Sequence, residues 1–92
     1  MRTPEEKFTS NSPEHETEYC TIWKRATVKL EDDRVAAIEL ITVKELNREE
    51  IRFAYYKLDE KGKLRLIPRP LDVTHSELNQ LIAEAKEKKI ID

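Results

Sequence analysis

The chain of 92 residues has room for one small domain, which buries only about 60–65% of the surface its unfolded form exposes. Charged residues make up 39% of it against 38% hydrophobic, with a net charge of −2, a polar balance that still permits globular folding. The single cysteine, Cys20, excludes an internal disulfide framework, the single glycine excludes a glycine-rich phosphate loop, and no apolar run approaches the ~18 residues that span a bilayer.

The N-terminus lacks the apolar core of a signal peptide, so the expectation is a soluble, cytoplasmic protein. Small domains without disulfides or metals gain burial by self-association, so a homodimer is expected. The charge is unevenly placed: residues 1–18 hold five glutamates against Arg2 and Lys7, a net of −3, which leaves +1 for residues 19–92. The mild acidity therefore says nothing against a polyanionic partner.

Residues 1–18 are rich in Thr, Ser, Asn, Pro and Glu, with Phe8 the only large apolar side chain. Such a segment cannot bury enough surface to offset its ordering entropy, and it reads as a disordered N-terminal arm. From Tyr19 to Leu30 the pattern has period two, with Ile22, Ala26, Val28 and Leu30 on one side and Trp23, Arg25, Thr27 and Lys29 on the other. Glu31-Asp32-Asp33-Arg34 is a polar interruption of hairpin length, and Val35 to Val43 is a second strand, apolar on both sides.

The third strand, Glu50 to Leu58, places Ile51, Phe53 and Tyr55 opposite Arg52, Ala54, Tyr56 and Leu58. Gly62 then sits in the turn Asp59–Lys63, where a left-handed backbone is expected. Leu64 to Ile67 returns as the fourth strand and ends before Pro68 and Pro70, which cannot donate to a ladder. Thr74-His75-Ser76-Glu77 has capping-box spacing, Leu78, Leu81, Ile82 and Ala85 form a helical apolar stripe, and Lys86, Lys88 and Lys89 suit the helix C-terminus.

Convergent catalytic groups are not evident. His15 and His75 lack a second ligand at metal-binding spacing, Cys20 lacks the signature of an activated thiolate, and Glu31-Asp32-Asp33 reads as a turn. The chain is not expected to be an enzyme or to hold a cofactor or metal.

If the helix covers the side bearing Ile22, Val28, Ile51, Phe53, Leu64 and Leu66, alternation sends Trp23, Arg25, Lys29, Arg52, Tyr56, Lys63 and Arg65 to the opposite face. Lys57, Lys61 and Arg69 extend its positive rim. Cations that track phosphates, interleaved with rings that stack on bases, suit single-stranded nucleic acid. The candidate interface is therefore Trp23, Arg25, Lys29, Arg52, Tyr56, Lys61, Lys63 and Arg65. A solvated or dimer face is the plainer alternative. The phase of the second strand discriminates: Ile41 and Val43 on the face of Trp23 and Arg52 would make that face too apolar for an open platform and favour a protein interface.

The run IRFAYYKLDEKGKLRLIPRPLDVTHSELNQL, from Ile51 to Leu81, resembles the single-stranded-DNA-binding domain of the positive-cofactor-four transcriptional coactivators and covers about a third of the chain. The resemblance implies a curved four-stranded sheet followed by one helix, dimerisation through helices, and nucleic acid held at Arg52, Tyr56, Lys61, Lys63 and Arg65. The chain departs from that pattern at Ile67–Val73, where the family carries a glycine-bearing basic segment.

The expected architecture is an α+β domain over residues 19–92: a four-stranded, mainly antiparallel meander with a C-terminal helix on one face. The expected function is non-catalytic binding of single-stranded nucleic acid as a dimer. The alternative is a protein-interaction or structural accessory module using the exposed sheet face or edge, with Trp23 and Tyr56.

Overall fold

The computed structural model describes residues 13–92. Five strands, β1 (His15–Glu16), β2 (Cys20–Lys29), β3 (Arg34–Val43), β4 (Arg48–Leu58) and β5 (Leu64–Leu66), form one curled antiparallel meander in chain order, followed by α1 (His75–Glu87). The α+β class, the meander and the C-terminal helix thus agree with the sequence, and the strand count is five rather than four. The extra strand lies inside the segment read as a disordered arm. There, Glu14 N–H donates to Ile22 O at 2.8 Å, and Thr17 Oγ1 accepts from the Tyr19 and Cys20 amides. The rest of that expectation, over residues 1–12, lies outside the described residues.

Turn chemistry sets the registers. Asp32 and Asp33 both adopt left-handed backbone, at φ 55° and 61°, and Arg34 N–H closes on Glu31 O at 3.1 Å. Two consecutive left-handed residues match the right-handed twist of the flanking strands, which is why an acidic pair tolerant of this conformation occupies the β2–β3 loop. In the β4–β5 hairpin, Gly62 supplies φ 78°. The Asp59 carboxylate accepts the amides of Lys61 and Lys63 at 2.8 and 2.9 Å, fixing the loop around it.

The helix begins at a reciprocal capping box, in which Thr74 Oγ1 accepts from Glu77 N–H at 3.1 Å and Glu77 Oε1 accepts from Thr74 N–H at 2.8 Å. It ends without glycine. Lys89 takes the left-handed conformation at φ 60°, Ile90 N–H reaches Ala85 O at 2.8 Å and Lys89 N–H reaches Lys86 O at 3.0 Å. That pair of bonds is a Schellman closure, accompanied by the expected apolar contact of Ile90 with the core.

The helix lies on β2 and β3 and does not reach β4. Leu81 and Ala85 pack with Ala26, Ala36, Ile38 and Ile90, flanked by Val28, Leu40, Leu71, Val73 and Ile82. Small residues at positions 26, 36 and 85 let helix and sheet approach closely. This helix-side face is only one of two buried faces. No described helix lies on the opposite, inner face, yet it carries two further apolar clusters: Cys20, Ile22, Ile41 and Val43 at one end, and Val35, Ala37, Ala54 and Tyr56 with Leu58 and Leu64 at the other. Among the described residues no helix is long and apolar enough to cross a membrane.

Candidate functional site

The β3 alternation decides the inner face. Val35, Ala37, Glu39, Ile41 and Val43 share it, and the register Glu39↔Arg52 and Val35↔Tyr56 puts Arg52 and Tyr56 there too. Ile41 and Val43 therefore share the face of Arg52 but not that of Trp23, so the sequence condition for a protein interface is met only in its Arg52 half. Arg25 and Lys29 join this face through Arg25↔Glu39 and Lys29↔Val35.

Between the two apolar clusters sits Glu39, fully buried. Arg25 Nε donates to its Oε2 at 2.7 Å, Arg52 Nε to Oε1 at 2.8 Å, and the Tyr56 hydroxyl to Oε2 at 2.6 Å. The guanidinium groups also reach the Tyr56 oxygen at 3.2 and 3.3 Å, and Arg25 stacks over the Tyr56 ring at 4.9 Å. Burial works against both guanidinium charges, but the bonds and attraction to Glu39 outweigh it, and both arginines are held charged beyond their ordinary range. Burial, and next the hydrogen bond to Glu39, pushes the Tyr56 phenol above its usual range. Arg25, Arg52 and Tyr56 are thus brought together as expected, but around a carboxylate that the reading of β3 passed over. A lone Glu within an apolar run was the available signal, since a buried acid needs a charged partner.

The other expected residues separate. A register shift between Ile22 and Lys24 reverses the alternation of β2, moving Ile22 to the inner face and Trp23 away from it; the Trp23 indole donates to Thr42 Oγ1 at 2.9 Å. Pairing of Tyr56 with Leu66, and of Lys57 with Arg65, puts Leu64 and Leu66 with Tyr56 and sends Arg65 to the helix side. Lys61 and Lys63 lie exposed in the hairpin loop. Tyr56 is 5% exposed, so it offers no docking ring.

What the inner face loses, the helix-side face gains. Because α1 stops short of β4, Phe53 is 63% and Ile51 42% exposed. On the same face Tyr55 lies between two arginines from distant segments, Arg34 and Arg69, each 5.7 Å from the ring centroid, with Arg34 Nη1 donating to the Tyr55 hydroxyl at 2.8 Å. The registers Arg34↔Lys57 and Lys57↔Arg65 add two neighbouring cations. Asp59 bounds this surface by pairing with Arg65 at 3.0 Å; bonds from the Lys63 amide first, and from Arg65, hold its carboxyl below the usual range. No group of three His, Cys, Asp or Glu residues that could hold a metal ion occurs among the described residues.

Compared with known proteins, the chain matches no family model, no curated protein and no solved structure.

Proposed function

We propose that this domain binds single-stranded nucleic acid without catalysing a reaction, through the helix-side surface of β4 and β5. The observation that carries the reading is the exposed Phe53 beside Tyr55, with Arg34 and Arg69 against Tyr55 and Lys57 and Arg65 beyond it on the same face. Exposed rings offer bases a flat surface at about 1–3 kcal/mol each, and the surrounding cations suit a phosphate backbone. The resemblance of Ile51–Leu81 to single-stranded-DNA-binding coactivators supports the ligand class, with the contact surface on the side of Phe53 instead of Tyr56.

Titration of a labelled single-stranded oligonucleotide at low salt tests this. Saturable binding is expected, weakened roughly 5- to 150-fold in Phe53→Ala, the equivalent of one lost stacking contact. Lys29→Ala, on the opposite face and two strands away from Tyr55, should bind as the parent does. Absence of binding at low salt, or a Phe53→Ala variant of unchanged affinity, would refute the reading.

One observation favours a second reading. Ile51, 42% exposed and two residues from Phe53 on the same face of β4, carries no charge and extends the Phe53 surface, as an accessory module docking an apolar segment of another protein would require. Its affinity would change little with salt.

A further inference from the structure

Antiparallel strands expose half of their backbone groups on each edge, and an unpaired edge is a template for another strand. β4 runs from Arg48 to Leu58, but β5 pairs only with Tyr56, Lys57 and Leu58, and Ile67 N–H adds one bond to Tyr55 O at 2.8 Å. Among the described residues nothing pairs with the outer edge from Arg48 to Ala54. The direction of the free groups follows from the bonds that are made. Leu58 N–H points to β3, bonding Asp33 O, whereas Tyr55 O and Asp59 N–H point outward to Ile67 and Lys63. Odd-numbered residues therefore face out. The free amides and carbonyls belong to Glu49, Ile51 and Phe53, two of which are also the exposed apolar side chains of the strand.

The edge carries charges at Arg48, Glu49, Glu50 and Arg52 but lacks two other usual protections, a bulge and a proline. Its pairing with β3 runs from Arg34↔Lys57 to Val43↔Arg48 without a register shift, and it contains no proline. Its charges discriminate between registers, although within the protomer Arg52 already serves Glu39 and Glu50 already pairs with Arg48. In a two-fold antiparallel pairing of β4 with a second β4, each register is defined by the residue on the axis, and residues directly opposite share a face. An axis at Glu50 sets Glu50 against Glu50, and an axis at Arg52 sets Arg52 against Arg52. With the axis at Ile51, Ile51 meets Ile51, Glu50 meets the other copy's Arg52, and Phe53 meets Glu49. Outward-facing residues then form the hydrogen-bonded pairs. The partner strand, Arg48 to Ala54, also fills the gap that ends where Ile67 begins.

We infer that the protein forms a homodimer by antiparallel pairing of β4 with β4 about a two-fold axis at Ile51, joining the two sheets into one. Ile51→Pro isolates this contact, because the Ile51 amide points away from β3 and its loss leaves the internal ladder intact.

Sedimentation equilibrium of the full chain gives the mass, and amide hydrogen exchange by NMR gives the edge. The expected result is twice the chain mass, with the Ile51 and Phe53 amides protected in proportion to dimer concentration. Ile51→Pro should raise the dissociation constant on the order of 100-fold or more while retaining the far-ultraviolet spectrum of the parent, and Glu50→Lys should weaken the dimer by setting like charges opposite Arg52. A monomer at millimolar concentration would overturn the inference and leave the edge to a different chain. A dimer that survives Ile51→Pro, or one with unprotected Ile51 and Phe53 amides, would overturn the assignment to β4.

Discussion

Glu39 is the residue whose environment is hardest to exchange. Its carboxylate meets two guanidinium groups and a phenol in a site where Arg25 and Arg52 side chains are only 15% and 27% exposed. Glu39→Gln keeps the shape but leaves two largely desolvated cations without a counter-charge, and a loss of about 2–4 kcal/mol by urea denaturation is expected. Tyr56→Phe removes one hydrogen bond to a carboxylate and should cost about 1.5–3 kcal/mol near neutral pH. The pH dependence follows from the direction of the shift. The folded state raises the Tyr56 pKa above the unfolded value, so its contribution is fully present below about pH 10 and declines as pH rises toward the folded pKa. The stability difference between parent and Tyr56→Phe should therefore stay constant below about pH 10 and shrink as pH rises above it, measured by denaturation at each pH. The sequence made Arg25, Arg52 and Tyr56 legible as one group by alternation alone. It did not reveal that they are spent on Glu39, because burial of both sides of β3 hid which side the acid faced.

The elements were legible where a single residue type dictates local geometry. Gly62, the Thr74–Glu77 box and the Leu78–Ala85 stripe placed the hairpin and the helix within a residue or two of their observed bounds. Thr74→Ala should cost about 1 kcal/mol by thermal or urea unfolding, as for other lost N-caps. Gly62→Ala meets no atom within 4 Å of the added Cβ, so its cost of about 1 kcal/mol comes from φ alone. The Schellman closure at the helix C-terminus was not legible, since a lysine stands where glycine usually marks it. Lys89→Gly should accordingly stabilise the protein by about 0.5–1 kcal/mol, and an unchanged or lowered midpoint would contradict the left-handed assignment. The β2 register shift was equally hidden. Trp23 and Ile22 fit a regular alternation in the sequence, and only pairing with β3 shows the added residue that moves them to opposite faces.

At the scale of the whole molecule, the decisive fact is that one short helix covers two strands of a five-stranded sheet. Sequence patterning assumes that the helix lies over the most apolar face of every strand. Here the inner face is buried around Glu39, and Ile51 and Phe53 of β4 are left in the open. The basic and aromatic character expected of the inner face occurs instead around Tyr55, where Arg34 and Arg69 arrive from segments 35 residues apart in the chain. Nothing local in the sequence relates those two arginines.

The salt dependence of oligonucleotide affinity tests that surface most directly. If Arg34, Lys57, Arg65 and Arg69 each neutralise a phosphate, the logarithm of the association constant should fall with the logarithm of salt concentration at a slope near −3, about −0.7 per contact. In the double variant Arg34→Gln/Arg69→Gln the slope should flatten by about 1.4. An affinity indifferent to salt, or a slope that the double variant leaves unchanged, would contradict the account.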